Sequence, residues 1–331
     1  MDKNIMSILK FYTISPMHAG SGDSVATVDL PIQRERHTNY PCVHASAVKG
    51  AMRAHFREFV EPGKEIAEYG DKQFKKAEKL VNFIFGSDKG NDEWKGEFKD
   101  DIEASSIDSI PGAISVSDAK LLAFPMRSNI APFIFVTCPN ILHRLKNDLE
   151  FCGISAQFDN YDLSIKDDNA KILKGELKDK KIILEDAVVA VVEIKKEDSV
   201  NEDSANIEFL NANLPELTNL LLISDEMFDY CISSCTEIQT NIKIDSKTGT
   251  AAEGALRYQE FLPSDSVLYS IINFKGQRDM NDLKPGIIEN HVKGIIKDFM
   301  QIGGDETLGK GICKIDWVSG DKNESKVEDQ K

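Results

Sequence analysis

The chain has 331 residues, 41% of them hydrophobic, enough for a real core in one large or two ordinary domains. Its 55 Asp and Glu against 40 Lys and Arg leave a net charge of -15, which excludes a generally basic nucleic-acid binder and confines any RNA contact to a local patch. Scattered cysteines suggest reduced thiols, and no run reaches the roughly eighteen apolar residues of a membrane helix, so the expected location is the cytoplasm with no membrane partner.

Residues 6–14 form an apolar run bounded by Pro16 and read as a buried first strand. Few helix signals follow until Ser46, which can cap a helix whose Val48, Met52, Phe56 and Phe59 recur at helical spacing. The polar, acidic stretches 86–110 and 195–206 read as surface insertions. Strand-like runs lie at 113–124, 133–137 and 182–194, and a helical pattern at 140–151. A second helical pattern covers 209–231 and breaks near Ser224. Strands resume at 237–244 and 267–274, a helix is expected over 289–301, and a strand at 312–318 precedes a polar tail at 319–331. A first strand and helix answered by a last helix and strand fits an α+β fold, ferredoxin-like or RNA-recognition in type with large insertions, as one domain over 1–318.

Two segments stand out chemically. Residues 30–57 hold Arg34, Arg36, Lys49, Arg53 and Arg57 against Glu35 alone, a local charge of +4 in an acidic chain. Lys49, Arg53 and Arg57 follow helical spacing, so one face can track adjacent phosphates, with the helix start at Ser46 turned to the same anion. The alternative is an ordinary solvated face. The second segment is 301–315, QIGGDETLGKGICKI. Gly304 to Lys310 match the G-x-x-x-x-G-K spacing of a nucleotide loop, but Gly311 stands where the Mg-binding Ser or Thr belongs, and Asp305 and Glu306 repel a triphosphate. No nucleotide or organic cofactor is expected. Gly303, Gly304, Gly309 and Gly311 instead let backbone N–H groups approach a phosphodiester, with Lys310 supplying charge, or they form a plain helix-to-strand turn. From the residues alone, Asp29 reads as a loop carboxylate paired with Arg34 or Arg36.

The strings TISPMHAGSGDSVATVDLPIQRERHTNYPCVHASAVKGAMR, LRYQEFLPSD and IGGDETLGKG resemble the RAMP proteins of CRISPR systems, specifically the repeated backbone subunit of the type III-B (Cmr) effector. VDLPIQRERHT is the specific part, and 86–230 contributes little. His44-Ala45 departs from the proline-glycine turn common before the helix in relatives. The resemblance implies a modified RNA-recognition fold with a β-hairpin thumb at 236–262, lined up with further copies of itself along a guide (CRISPR) RNA beside other Cmr subunits. It further implies cutting of complementary single-stranded target RNA at regular intervals, in antiviral defence. The carried-over acid is Asp29. His18, in the loop before it, and Glu260, beside the hairpin, are secondary catalytic candidates. Lys49, Arg53, Gly303, Gly304, Gly309, Lys310 and Gly311 match guide-holding positions, and Arg34, Arg36 and Arg57 join them as RNA-binding candidates. Because a solvated Asp of pKa about 4 is a weak base at neutral pH, a divalent cation (Mg or Mn) held at Asp29 is the expected cofactor of a metal-dependent endoribonuclease. The alternative is a non-catalytic guide-binding scaffold.

Overall fold

The computed structural model describes residues 4–24, 28–59, 66–69, 72–74, 77–86, 111–154, 161–194, 208–275 and 285–318. The expected insertions, apart from Gly86, and the 319–331 tail lie outside the described residues. The first apolar run is strand β1 (Ile5–Thr13), and the burial of every residue from Ser7 to Phe11 follows from cover on both faces. Ser7 Oγ donates to the buried Glu289 carboxylate on one side at 3.0 Å. On the other side Lys10, only 2% exposed, is held by the Glu216 and Asp316 carboxylates at 3.0 and 3.1 Å and by the Asn213 carbonyl at 3.0 Å. Three acceptors around three ammonium donors are what allow a lysine in that position.

Next come β2 (Cys42–Val43) and α1 (Ala45–Phe59), which buries Val48, Met52 and Phe56 as the spacing predicts. Phe59 differs: it is 56% exposed, with its ring 4.5 Å from His55. Ser46 is not the cap either. It lies in the first turn, the His44 carbonyl accepts from Ala47 and Val48, and the Ala45 N–H donates to Asp118 at 2.6 Å. A short hairpin, β3 (Ile66–Tyr69) and β4 (Lys72–Phe74), leads to α2 (Ala77–Phe85). The run 113–124 divides into β5 (Ile114–Val116) and β6 (Ala119–Met126), followed by β7 (Ile134–Thr137), α3 (Pro139–Phe151) and β8 (Asn169–Lys174). The run 182–194 is a hairpin, β9 (Lys181–Leu184) and β10 (Ala187–Glu193), because Glu185 takes φ 56° in a tight turn.

The segment read as one broken helix contains a strand: α4 (Glu208–Asn213), β11 (Leu220–Leu222) and α5 (Asp225–Ser234), the last capped by Ser224 as the break suggested. A three-leucine run is ambiguous by periodicity alone, and β11 is decided by pairing with β7 and β8. β12 (Glu237–Ile244), β13 (Ala251–Phe261) and β14 (Val267–Phe274) follow. The last helix starts and stops earlier than expected: α6 (Pro285–Ile295) gives way at Asp298, φ 62°, to β15 (Asp298–Gln301), and β16 (Ile312–Val318) ends the described chain. The glycine segment therefore joins two strands rather than a helix and a strand.

A twelve-stranded mixed sheet has the order β15-β16-β1-β14-β6-β7-β11-β8-β10-β9, with β2 on β6 and β5 on β14. The four strands β16, β1, β14 and β6 are antiparallel throughout. β12 and β13 leave this sheet as a separate two-stranded hairpin, where the thumb was expected.

Candidate nucleic-acid interface

The base of the hairpin organises the site. Leu30 forms a parallel bridge with Gln259, its N–H donates to the Tyr258 carbonyl at 3.1 Å, and the Glu260 N–H donates to the Leu30 carbonyl at 3.0 Å. This short third strand fixes Asp29: its Oδ2 accepts the Tyr258 N–H at 2.8 Å. Asp29 is half-buried and shows no ion pair with Arg34 or Arg36 among the described residues.

Arg34 turns inward. Its guanidinium binds Glu260 at 2.6 Å, the Asn39 carbonyl at 2.9 Å and the Ile232 carbonyl at 3.2 Å. Glu260, 6% exposed, also accepts from the Ile32 N–H at 3.0 Å and the Thr236 hydroxyl at 2.8 Å. Both its oxygens are thus engaged in holding the Asp29 segment to the hairpin. Glu35 likewise ties to Arg144 at 2.6 Å. The formal charge of 30–57 overstates what faces solvent, because Arg34 is neutralised from 226 residues away.

His18 joins the same base. Its Nδ1 lies 2.7 Å from the Glu260 carbonyl, and its ring is 5.5 Å from Phe261. The glycine loop closes over it: Gly304 N–H donates to the His18 carbonyl and Gly311 N–H to the Pro16 carbonyl, each at 2.9 Å. Gly303 has φ +93°, and a Cβ there would sit 2.4 Å from the His18 carbonyl oxygen. Gly309 also needs positive φ, at +70°, but faces open space. Lys310 places its ammonium 4.7 Å from the centre of the buried Phe261 ring. The structure brings together Asp29, His18, Glu260 and the four glycines with Lys310.

Lys49 and Arg53 stand one turn apart on α1, both half-buried; Arg36 and Arg57 are exposed. Arg53 donates to the Asn82 side chain at 2.7 Å. Burial first, and the adjacent Arg53 charge second, push the Lys49 ammonium below its ordinary pKa. Both effects act against the charged form of Lys49, so an anion placed beside it would be favoured. The α1 N-terminus adds less to this than expected, because Asp118 already occupies it.

Gln33 and Gln259 went unread in the sequence, and Asp305 was read only as a charge that repels a triphosphate. Gln33 joins the Gly20 carbonyl at 3.0 Å to the His44 N–H at 2.7 Å, setting the loop before α1 against the His18 turn. No local pattern marks such residues, since their partners are distant in the chain. Among the described residues no three His, Cys, Asp or Glu side chains are grouped to hold a metal ion, and no helix is long and apolar enough to cross a membrane.

A strand-exit turn, a carboxylate loop and a glycine loop meeting at a projecting hairpin define a recognisable class. The family model described as the RAMP superfamily matches residues 10–314, and the chain belongs to that superfamily. It is 32% identical over 317 residues to the CRISPR system Cmr endoribonuclease Cmr4 of Pyrococcus furiosus, covering 93% of this chain and 94% of the relative. Within the superfamily it groups with the Cmr4 proteins of CRISPR Cmr systems. The crystal structure of oligomeric Cmr4 from Pyrococcus furiosus superposes with a TM-score of 0.62 at 28% identity, covering 94% of this chain and 97% of that one. A chain of a type III-B Cmr-beta complex bound to cognate target RNA shares the fold, with a TM-score of 0.65, 21% identity and coverage of 95% and 97%.

Proposed function

We propose that copies of this chain line up along a guide RNA, beside other Cmr subunits in the cytoplasm, and cut the paired target RNA once per copy. The observation that carries this reading is the convergence on residues 258–261: the Asp29 segment, the His18 turn and the glycine loop all bond to, or pack on, that one stretch of β13. The antiparallel order β16-β1-β14-β6, with α1 after β1 and α6 before β16, supports a ferredoxin-like core beneath it.

In this reading the glycine loop offers N–H groups and Lys310 to the guide backbone, and Lys49, Arg53, Arg36 and Arg57 extend the positive track. Arg34 acts from inside, holding Glu260 and through it the Asp29 segment. The hairpin exposes Ile238, Ile242 and Leu256 at about half their surface and Tyr258 at 39%, an apolar wedge suited to parting stacked bases. A-form geometry holds a 2'-hydroxyl away from in-line attack on its own phosphate, so a nucleotide displaced there lies closer to the reactive arrangement. Asp29 faces that nucleotide from the hairpin's base, and His18 shapes the turn behind it.

A lone carboxylate does not make a protein-built metal cage, but it fits a cation whose other ligands are phosphate oxygens and water, the usual manner of Mg²⁺ in phosphate chemistry. Asp29 would hold it, and the ion would supply Lewis-acid stabilisation of the phosphate. The test is reconstitution with guide and an end-labelled complementary target. Products at one constant spacing support the reading, whereas an intact target in an assembled complex leaves only the scaffold role.

A further inference from the structure

We propose that Gln259 is a positioning residue for cleavage, linking the glycine loop to the strand that presents Asp29; this rests on the role given to Asp29 above. Gln259 is 7% exposed. Strand alternation sends its side chain to the face opposite those of Tyr258 and Glu260. The backbone of those two neighbours holds Asp29 and Leu30, while Gln259 Nε2 reaches away and donates to Asp305 Oδ2 at 2.5 Å. Its Oε1 accepts from Asn241 Nδ2 of β12 at 3.0 Å, which fixes the amide orientation.

Asp305 is the organising residue of the loop. It takes a left-handed conformation, φ 59°, and its carbonyl accepts the N–H groups of Leu308 at 2.9 Å and Lys310 at 3.2 Å. Its carboxylate receives a charge-assisted bond from a nearly buried amide, stronger than a neutral pair. A guide strand seated on Gly303, Gly304 and Lys310 therefore bears on Asp305, and through one side chain on the strand whose neighbouring residues set Asp29. Loop and carboxylate are held in one frame by a residue expected to touch neither RNA strand.

The chemistry allows a reversed pair. Gln259→Glu places two carboxylates in contact and parts the loop from the strand, whereas the same change together with Asp305→Asn restores a donor and an acceptor with their roles exchanged. The Asn241 bond survives in both. Gln259→Met keeps the length and removes the donor without adding charge.

The experiment uses guide-bound complexes carrying each variant, with single-turnover cutting of saturating labelled target and target affinity measured separately. Gln259→Glu is expected to slow cutting by about 100-fold, the scale of a misplaced reacting group, with target affinity and cut positions unchanged. Gln259→Met slows it in the same sense, and Gln259→Glu with Asp305→Asn regains most of the rate. Parental rates in the single variants, a double variant no faster than Gln259→Glu, or failure of both single variants to assemble would overturn the proposal. Asp29→Asn runs alongside. If it cuts at the parental rate, the role of Asp29 falls and takes the proposal with it; if it is inactive while the Gln259 variants are not, the proposal alone falls.

Discussion

Asp29→Ala is expected to abolish target cutting, by about 10²- to 10⁴-fold, in complexes that still assemble on guide and bind target normally. Several observations converge on that separation. Among the described residues the Asp29 carboxylate accepts one hydrogen bond, from the Tyr258 N–H, on a segment otherwise held by backbone bonds of Leu30 and by the Glu260 bond to Ile32. Removing the carboxylate therefore costs about one hydrogen bond to a partly solvated amide, of order 1 kcal/mol, far too little to unseat the hairpin. The loss must then appear in the chemical step. Unfolding midpoints within a few degrees of the parent, with no product at even spacing, are the expected pair of readings. Failure to assemble would make Asp29 a structural tie, and unchanged product would assign the cutting to another subunit.

The second large effect is at Gly311. With φ +71°, its substituted Cβ would lie 2.0 Å from the Ile302 carbonyl oxygen, a backbone atom with little room to move because the Ile302 N–H donates to the Gly311 carbonyl at 2.9 Å. Gly311→Ala thus combines left-handed strain, itself about 1–2 kcal/mol, with a clash that only movement of the loop relieves. That movement breaks the bond to Pro16 and shifts Lys310. Guide affinity is expected to fall by more than tenfold, beyond the loss of one phosphate contact, together with a lower unfolding midpoint. Gly309→Ala is the control: it has nearly the same φ, +70°, but nothing within 4 Å, so it should show the strain alone. Equal losses at both positions would mean that backbone conformation, not close approach, is what the glycines provide.

Local patterns carried the strands and helices whose periodicity is long or whose burial is complete, such as β1, α1, α3 and β14. They failed where the deciding partner is distant. Leu220–Leu222 looks helical in isolation and is a strand because β7 and β8 flank it. Arg34 looks like one more phosphate-binding cation and is an internal partner of Glu260. Ser46 looks like a cap, while Asp118, 73 residues away, meets the first amide. At the site, the glycine loop was singled out by its own spacing as well as by the family string, whereas Asp29 was nominated by the family string alone, its residue context pointing to a pair with Arg34 or Arg36. Gln33 and Gln259 were not, since an amide that ties two loops together leaves no signature in its own neighbourhood, and the structural role of Asp305 was hidden with its partner Gln259.

Whether an acidic protein grips an RNA backbone through a local basic and glycine-lined track is decided by measuring guide-RNA affinity of the assembled protein across a salt series, for the parent and for Lys49→Ala. Affinity is expected to fall steeply with salt for guides of any sequence, with the slope for Lys49→Ala shallower by about 0.7, one single-strand phosphate contact. No measurable binding of the guide, or a slope untouched by the loss of Lys49 and indifferent to salt, would contradict it.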